Sequence, residues 1–389
     1  SLEYMRFTKV EDIIRWRRHI HQNPELSKEE FKTTEYIREE LRSMGLDYEE
    51  VDGMPTATIA YIGTGMDSAK TILLRADIDA LPIKEENDID FKSCNPGVMH
   101  ACGHDAHAAM LLGATREILG LRSEGKLKNN VLVVFQPSEE STGGANVLID
   151  SYPFEKYSID ASFALHINPD FEEGVIATRP GPIMASCNEF TVKIVGKSAH
   201  VGIRENGINA INAAIQVYQQ FQTIPTYDLD SKHTNIIHIG KMNVGEVMNS
   251  VPTNGYMEGT IRTYDMDDLE ISKKRMQEIC QGVELSTRAS INLHFEDGYP
   301  ALLNDKDLID FVASTIEKSG ARSYIMPDPY LLGEDFSFFK NVSPISYSFV
   351  GIRNEDLGYT SGLHTPWLQM REEALVYGVD YLVEIAKTY

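Results

Sequence analysis

The stretch TILLRADIDALP, residues 71–82, opens on a short apolar run, Thr71 to Arg75, and turns polar at Asp77 and Asp79. The same form recurs along the chain. Val131 to Phe135 leads into QPSEE, Ala161 to Leu165 leads into His166 of ALHINP, and Ala57 to Ile62 is a further run. Helical spacing lies between them, over Ala106 to Leu119 and Gly144 to Asp150. Strand, helix and strand at this rhythm predict an α/β layer with a largely parallel sheet. In open α/β sheets ligands bind outside the carboxyl ends of the strands, which is where the polar residues collect here.

Upstream, Glu11 to His21 and Lys28 to Met44 carry apolar residues at helical spacing. They are separated by QNPELS, where Ser27 can cap the second helix. Downstream of RPGPIMASC the pattern changes. From Asn188 to about Glu296 the order is strand (189–195), helix (207–221), strand (234–243), strand (254–263), helix (267–289), strand (290–295). This βαββαβ order is a split-βαβ sandwich. It reads as a second domain, 188–298, inserted between the two parts of a first, 1–187 and 299–389. The alternative is one continuous α/β domain.

Of 389 residues 42% are hydrophobic, enough for one large core or two ordinary ones. Lys and Arg number 36 against 58 Asp and Glu, a formal charge of −22. Nucleic-acid binding needs clustered Lys and Arg, and there is no such cluster. The same acidity argues against an anionic membrane surface. It does not select a cationic substrate, because excess acid commonly just aids solubility. Ile13 to His21 is basic and amphipathic, so no secretory signal is expected. No apolar run is long enough to span a bilayer. Cys94, Cys102, Cys187 and Cys280 make no disulfide framework, and a reduced, cytoplasmic setting is expected.

The densest chemistry is VMHACGHDAH, residues 98–107. Cys102 and His104 can bind a divalent ion if both point the same way from an irregular loop, with Gly103 allowing the turn. The other reading is a buried small hydrophobe followed by histidines that cap the next helix. His100 and His107 read as supporting or structural, and His107, one helical turn past His104, can orient it. In FQPSEES, Glu139 and Glu140 are like charges at the mouth of a sheet, costly unless a metal or proton shares them. Glu140 as ligand and Glu139 as general base on a metal-activated water is the natural division. Two solvated loop glutamates is the plainer alternative. His166 at a strand end and His364 in GLHTP are weak signals singly. Of Asp77 and Asp79, one can brace a ligand histidine or the activated water while the other fixes the loop.

Together Cys102, His104, Glu140, His166 and His364 are candidate ligands for two divalent ions. Such a pair, about 3.5–4 Å apart, needs a bridging ligand, and a thiolate can bridge. Mixed S, N and O ligation suits zinc or manganese, with cobalt or nickel also compatible.

RRHIHQNPELSKEE, RADIDALP, MHACGHDAH, QPSEES, LHINP, GKSAH, NSVPTNGYMEGTIRT, LGEDFSFF and GLHTP stand in an order that resembles the aminoacylase/carboxypeptidase family of dinuclear metallopeptidases. The likeness is to its amidohydrolase branch of hippurate hydrolases, N-acyl-amino-acid deacylases and indole-acetyl-amino-acid hydrolases, and spans His19 to Pro366. It implies a zinc-peptidase-like α/β catalytic domain with an inserted α+β, ferredoxin-like domain that serves as lid and makes a homodimer. It implies that Cys102 takes the bridging place held by Asp in other branches, with His104, Glu140, His166 and His364 completing two metal sites. Glu139 matches the family's proton-shuttling base and Asp79 the carboxylate that orients the site. His200 of GKSAH matches a residue that reaches a dimer partner's active site to polarise the scissile carbonyl. Asn249 and Arg262 match residues that grip the substrate carboxylate, and Gly333 a glycine whose backbone N–H does similar work. Read alone, His200 is a strand-end histidine and Arg262 half of a surface ion pair, although a guanidinium suits bidentate carboxylate recognition.

Ser138, Ser141-Thr142, Arg204 and Leu332 depart from the family's common residues. They touch neither the ligands nor Glu139, so they bear on specificity rather than on hydrolysis. The implied reaction is cleavage of the amide bond of a small N-acyl amino acid or short peptide. The rivals are a dipeptidase or carboxypeptidase, a dedicated N-acetyl-diaminopimelate deacetylase, and a non-catalytic binding protein on the same scaffold.

Overall fold

The computed structural model describes residues 5–389. It divides into two compact units, one running to Ile183 and resuming over Leu303–Asp328 and Asp335–Tyr389, the other made of Met184–Leu302 and Pro329–Glu334. The first unit begins with α1 (Val10–Gln22), α2 (Phe31–Ser43), β1 (Glu49–Val51), β2 (Met54–Ile62) and β3 (Thr71–Asp77). It continues with α3 (His104–Ser123), β4 (Asn130–Gln136), α4 (Ala145–Ser151), β5 (Ala161–Glu172), β6 (Val175–Thr178) and the short β7 (Gly181–Met184). Then come β8 (Asn188–Val195), α5 (Ala210–Phe221), α6 (Ile224–Tyr227), β9 (Asn235–Val244), β10 (Asn254–Thr263), α7 (Met266–Thr287) and β11 (Ser290–Phe295). The chain returns through β12 (Leu302–Asn304) to α8 (Lys306–Lys318), β13 (Arg322–Ile325), β14 (Ile345–Arg353) and α9 (Val376–Thr388).

The sheet of the first unit has the order β1-β2-β4-β3-β5-β14-β6-β13. Its middle strands β4, β3, β5 and β14 are parallel, so their carboxyl ends open on one edge. Every residue of β3 is buried, as a strand covered on both faces requires. One cover is α3, and against α3 packs α1, whose Ile13, Trp16 and Ile20 recur at helical spacing and are buried in the same core as Leu111, Leu112 and Ala114 of α3. Each of these Ile and Leu side chains contributes about 1.5–3 kcal/mol by leaving water.

Two local expectations change. Ser27 does not cap α2; its hydroxyl donates to Asp79 Oδ2 at 2.7 Å, and the helix starts one turn later behind Glu30. A buried carboxylate is the stronger acceptor for that hydroxyl. The strand bearing His166 does not stop at Leu165. β14 pairs with it in parallel as far as Glu172, whereas pairing with β3 ends at Ala164. His166 therefore lies just past the last residue of β5 that pairs with β3.

In the second unit the strands follow the order β11-β8-β10-β9, each pair antiparallel. Alternation on β8 turns Phe190, Val192 and Ile194 inward. They share a core with Ala213, Val217 and Phe221 of α5 and Met276, Ile279 and Val283 of α7. The element order is the βαββαβ read from the sequence. α5 begins at Ala210, where the Asn209 side chain accepts from Asn212 N at 2.9 Å, and a 3₁₀ turn occupies Val201–Asn206.

Candidate metal centre

The centre is built at the carboxyl edge of the parallel strands. Gly103 has φ 78°, the left-handed conformation, and a Cβ there would collide with Ile167. That turn ends the HAC segment and starts α3 with His104. His104 Nδ1 donates to Asp79 Oδ1 at 3.1 Å. The other ring nitrogen, Nε2, lies 3.2 Å from Asp77 Oδ2, 3.5 Å from Glu140 Oε1 and 3.9 Å from Glu139 Oε2. Burial favours the neutral ring, but Asp77, Asp79 and Glu140 outweigh it and push the imidazole pKa up to about 10.

Cys102 Sγ is 3.4 Å from His166 Nε2. His166 Nδ1 donates to the Ile167 carbonyl at 2.7 Å, which leaves Nε2 with its lone pair toward the thiol. His364, at φ 61° on its loop, brings Nε2 to 3.4 Å from Glu140 Oε1. Ligand atoms of Cys102, Glu140 and His364 fall within 4.8 Å of one another, and so do those of His104, Glu139 and Glu140. All five candidate ligands and Glu139 are thus brought together, with Glu140 common to both groups.

His107 belongs elsewhere. Its Nδ1 donates to Asp77 Oδ1 at 2.6 Å and its Nε2 accepts from Ile167 N at 2.9 Å. With both nitrogens spent it braces Asp77 and β5, not His104. His100 is buried and pushed down to about 4 by desolvation, so it stays neutral.

The donor set fits divalent cations. Asp77 Oδ2, His104 Nε2 and Glu140 Oε1 are buried without a hydrogen-bond partner. Each such atom costs about 1–3 kcal/mol if nothing compensates it. Burial, then the facing carboxylates of Glu140 and Glu139, hold the Cys102 thiol well above its ordinary range. Positive charge is what this pocket of carboxylates and sulfur needs, and sulfur, imidazole and carboxylate together suit zinc-like ions.

Around it lies a supporting layer that the sequence reading does not find. Asp105, next to His104, accepts from Arg17 Nε and His21 Nδ1, both at 2.8 Å, and His21 Nε2 meets Glu85 Oε2 at 2.8 Å. Burial opposes ionisation of Asp105, but Arg17 and His21 hold it well below the carboxylate range. The available signal is Arg17 and His21, charged or polar residues at i, i+4 on the buried face of α1. Glu30, also buried, accepts from Ser138 N at 2.7 Å, and burial with Asp79 nearby pushes it up to about 8. Asp79 Oδ2 accepts from Glu140 N at 2.9 Å.

The other expected residues lie in the second unit, in two groups. His200 is exposed, its Nδ1 accepting from Gly202 N at 3.0 Å, and the next residue's N–H pairs with the Asn249 carbonyl at 3.2 Å. Arg262 Nη1 donates to Leu331 O at 2.9 Å, two residues before Gly333. A Cβ on Gly333 would stand 3.0 Å from Cys187 Cβ.

A model of Peptidase family M20/M25/M40 matches residues 73–388. An uncharacterized hydrolase of Staphylococcus aureus (strain bovine RF122 / ET3-1) is 42% identical over 382 residues, 98% of this chain and 99% of that one. A crystal structure of a protein from methicillin resistant Staphylococcus aureus superposes with TM-score 0.93 at 28% identity over 100% of both chains. The Bacillus subtilis YXEP protein, described as a dinuclear metal binding peptidase from the M20 family, superposes with TM-score 0.84 at 29% identity over 97% of both chains. The chain belongs to Peptidase family M20/M25/M40, and it is a hydrolase of amide bonds.

Proposed function

We propose that the protein is an amidohydrolase of N-acyl amino acids with Glu139 as its general base. Two divalent ions would be held by Cys102, His104, Glu140, His166 and His364. When bound, they supply Lewis acidity to the amide carbonyl and lower the pKa of water. The observation that carries the reading is the convergence of these side chains at one sheet edge, with partnerless buried atoms of Asp77, His104 and Glu140 among them.

In this reading Glu139 takes a proton from the attacking water as its oxygen bonds to the amide carbon. When the C–N bond breaks, the same carboxyl gives the proton to the leaving nitrogen, releasing the acyl acid and the amino acid. Asp79 fixes the His104 tautomer and holds Glu140 N. His200, from a second copy of the chain, donates to the developing oxyanion; its Nδ1 is occupied by Gly202 N, so Nε2 carries the proton. Arg262, Asn249 and the Gly333 N–H hold the amino acid carboxylate.

The second copy has a surface to use. α5 exposes Ile211, Ile215 and Tyr218 at helical spacing, next to β9, an edge strand of the second unit's sheet that exposes Met242. An apolar stripe beside an open edge is what an isologous contact covers. Ile215→Asp together with Tyr218→Asp is expected to give a monomer by light scattering, and a retained dimer would place the contact elsewhere.

No described helix is long and apolar enough to cross a membrane. A reduced, cytoplasmic setting remains the reading from cysteine usage. The test of substrate class is a panel of N-acetyl- and N-benzoyl-amino acids assayed beside dipeptides and N-acetyl-diaminopimelate. The proposal expects the highest kcat/KM among the simple N-acyl amino acids; faster cleavage of dipeptides would replace it by a dipeptidase.

A further inference from the structure

The loop 137–144 carries Glu139 and Glu140 yet has no helix or strand of its own to hold it. Both its ends are tied to one carboxylate. Asp335 Oδ2 accepts from Gln136 Nε2 at 2.7 Å, at the end of β4, and from Ala145 N at 2.9 Å, at the start of α4. Arg75 closes the arrangement. Its Nη2 donates to Asp335 Oδ1 at 2.6 Å, its Nε donates to Gln136 Oε1 at 2.7 Å, and its Nη1 lies 3.5 Å from Asp77 Oδ2. Arg75, Gln136 and Asp335 are all buried. A Cβ on Gly144 would stand 2.5 Å from both Asp335 Oδ2 and the Ser138 carbonyl, so the loop doubles back tightly against the carboxylate.

We infer that Asp335 is a positioning residue for the hydrolytic reaction, a clamp that fixes where Glu139 and Glu140 stand; this rests on their roles in the proposed function. The physical reason is that a short irregular loop pinned at both ends by one buried, charge-assisted acceptor has few ways to move. Displacement of a reacting group by about 1 Å can cost on the order of 10²-fold in rate. Asp335 acts here through Gln136, Ala145 and Arg75.

Asp335→Asn tests this with little change of volume. The amide keeps one acceptor for Arg75 and turns its NH₂ toward two donors, Gln136 Nε2 and Ala145 N. Hydrogen exchange of the metal-free protein should speed up at the amides of residues 138–145. With metal restored to the wild-type level, kcat should fall about 10–100-fold while KM changes little. Adding Gln136→Glu restores a donor–acceptor pair, Asn to Glu, and should recover part of both readouts. A folded Asp335→Asn protein with wild-type exchange across the loop, or with faster exchange and wild-type kcat, overturns the inference. If the wild type cleaves no amide in the panel while exchange still rises, the functional reading fails and the clamp stands. Should Asp335→Asn not fold, Gly144→Ala presses on Asp335 Oδ2 and the Ser138 carbonyl and carries the same two readouts.

Discussion

His104 Nδ1 and Asp79 Oδ1 lie 3.1 Å apart, and this one bond decides which ring nitrogen faces the carboxylates of Asp77, Glu139 and Glu140. A ligand imidazole whose far nitrogen is fixed by a carboxylate is a better and better-aimed donor. Asp79→Asn is therefore expected to weaken metal binding by about 10–100-fold in a folded protein. Unchanged metal affinity by titration calorimetry would remove Asp79 from the centre.

Glu139→Ala should keep its fold and its metal and lose about 10²–10⁴-fold in kcat, the usual contribution of a general base. Circular dichroism and metal analysis check the first two. A variant that turns over at the wild-type rate would transfer the proton chemistry to another group.

Cys102→Ser should lose bound metal, because a hydroxyl replaces a soft thiolate that faces His166, Glu140 and His364. Elemental analysis of the purified variant reads this directly. A full complement of metal would contradict a bridging thiolate.

Asp380, on α9, gives a pH signature remote from the centre. Burial, with Glu117 and Glu384 nearby, pushes its carboxyl up to about 7, and its Oδ2 is buried without a hydrogen-bond partner. The folded pKa exceeds the unfolded value of about 3.9, so the folded state holds the proton more tightly. No penalty exists below about pH 4; it grows between about pH 4 and 7 and is complete above that. Asp380→Asn should therefore raise Tm by a few degrees more at pH 8 than at pH 4. An equal change at both pH values would show that ionisation of Asp380 does not limit stability.

The sequence makes the α/β rhythm and the βαββαβ order legible because each rests on local hydrophobic period. Thr71–Asp77 and Asn254–Thr263 are strands whose patterns stand on their own residues. The ligand candidates are legible because Cys, His and Glu gather right after such strands. What stays hidden is set by distant partners. Nothing near Ser27 shows that its hydroxyl goes to Asp79 rather than to α2. The continuation of β5 past Leu165 depends on β14, far along the chain. Asp335 sits in LGEDFSFF, visible as a motif, but its tie to Gln136 and Ala145 exists only once the sheet has formed.

The most direct test is metal titration of chelator-stripped protein while hydrolysis of an N-acyl amino acid is followed. With zinc, manganese, cobalt or nickel, activity should be absent after stripping and return as two equivalents per chain are bound. Undiminished turnover in the stripped protein, or two bound equivalents with no turnover of any amide, would contradict the account.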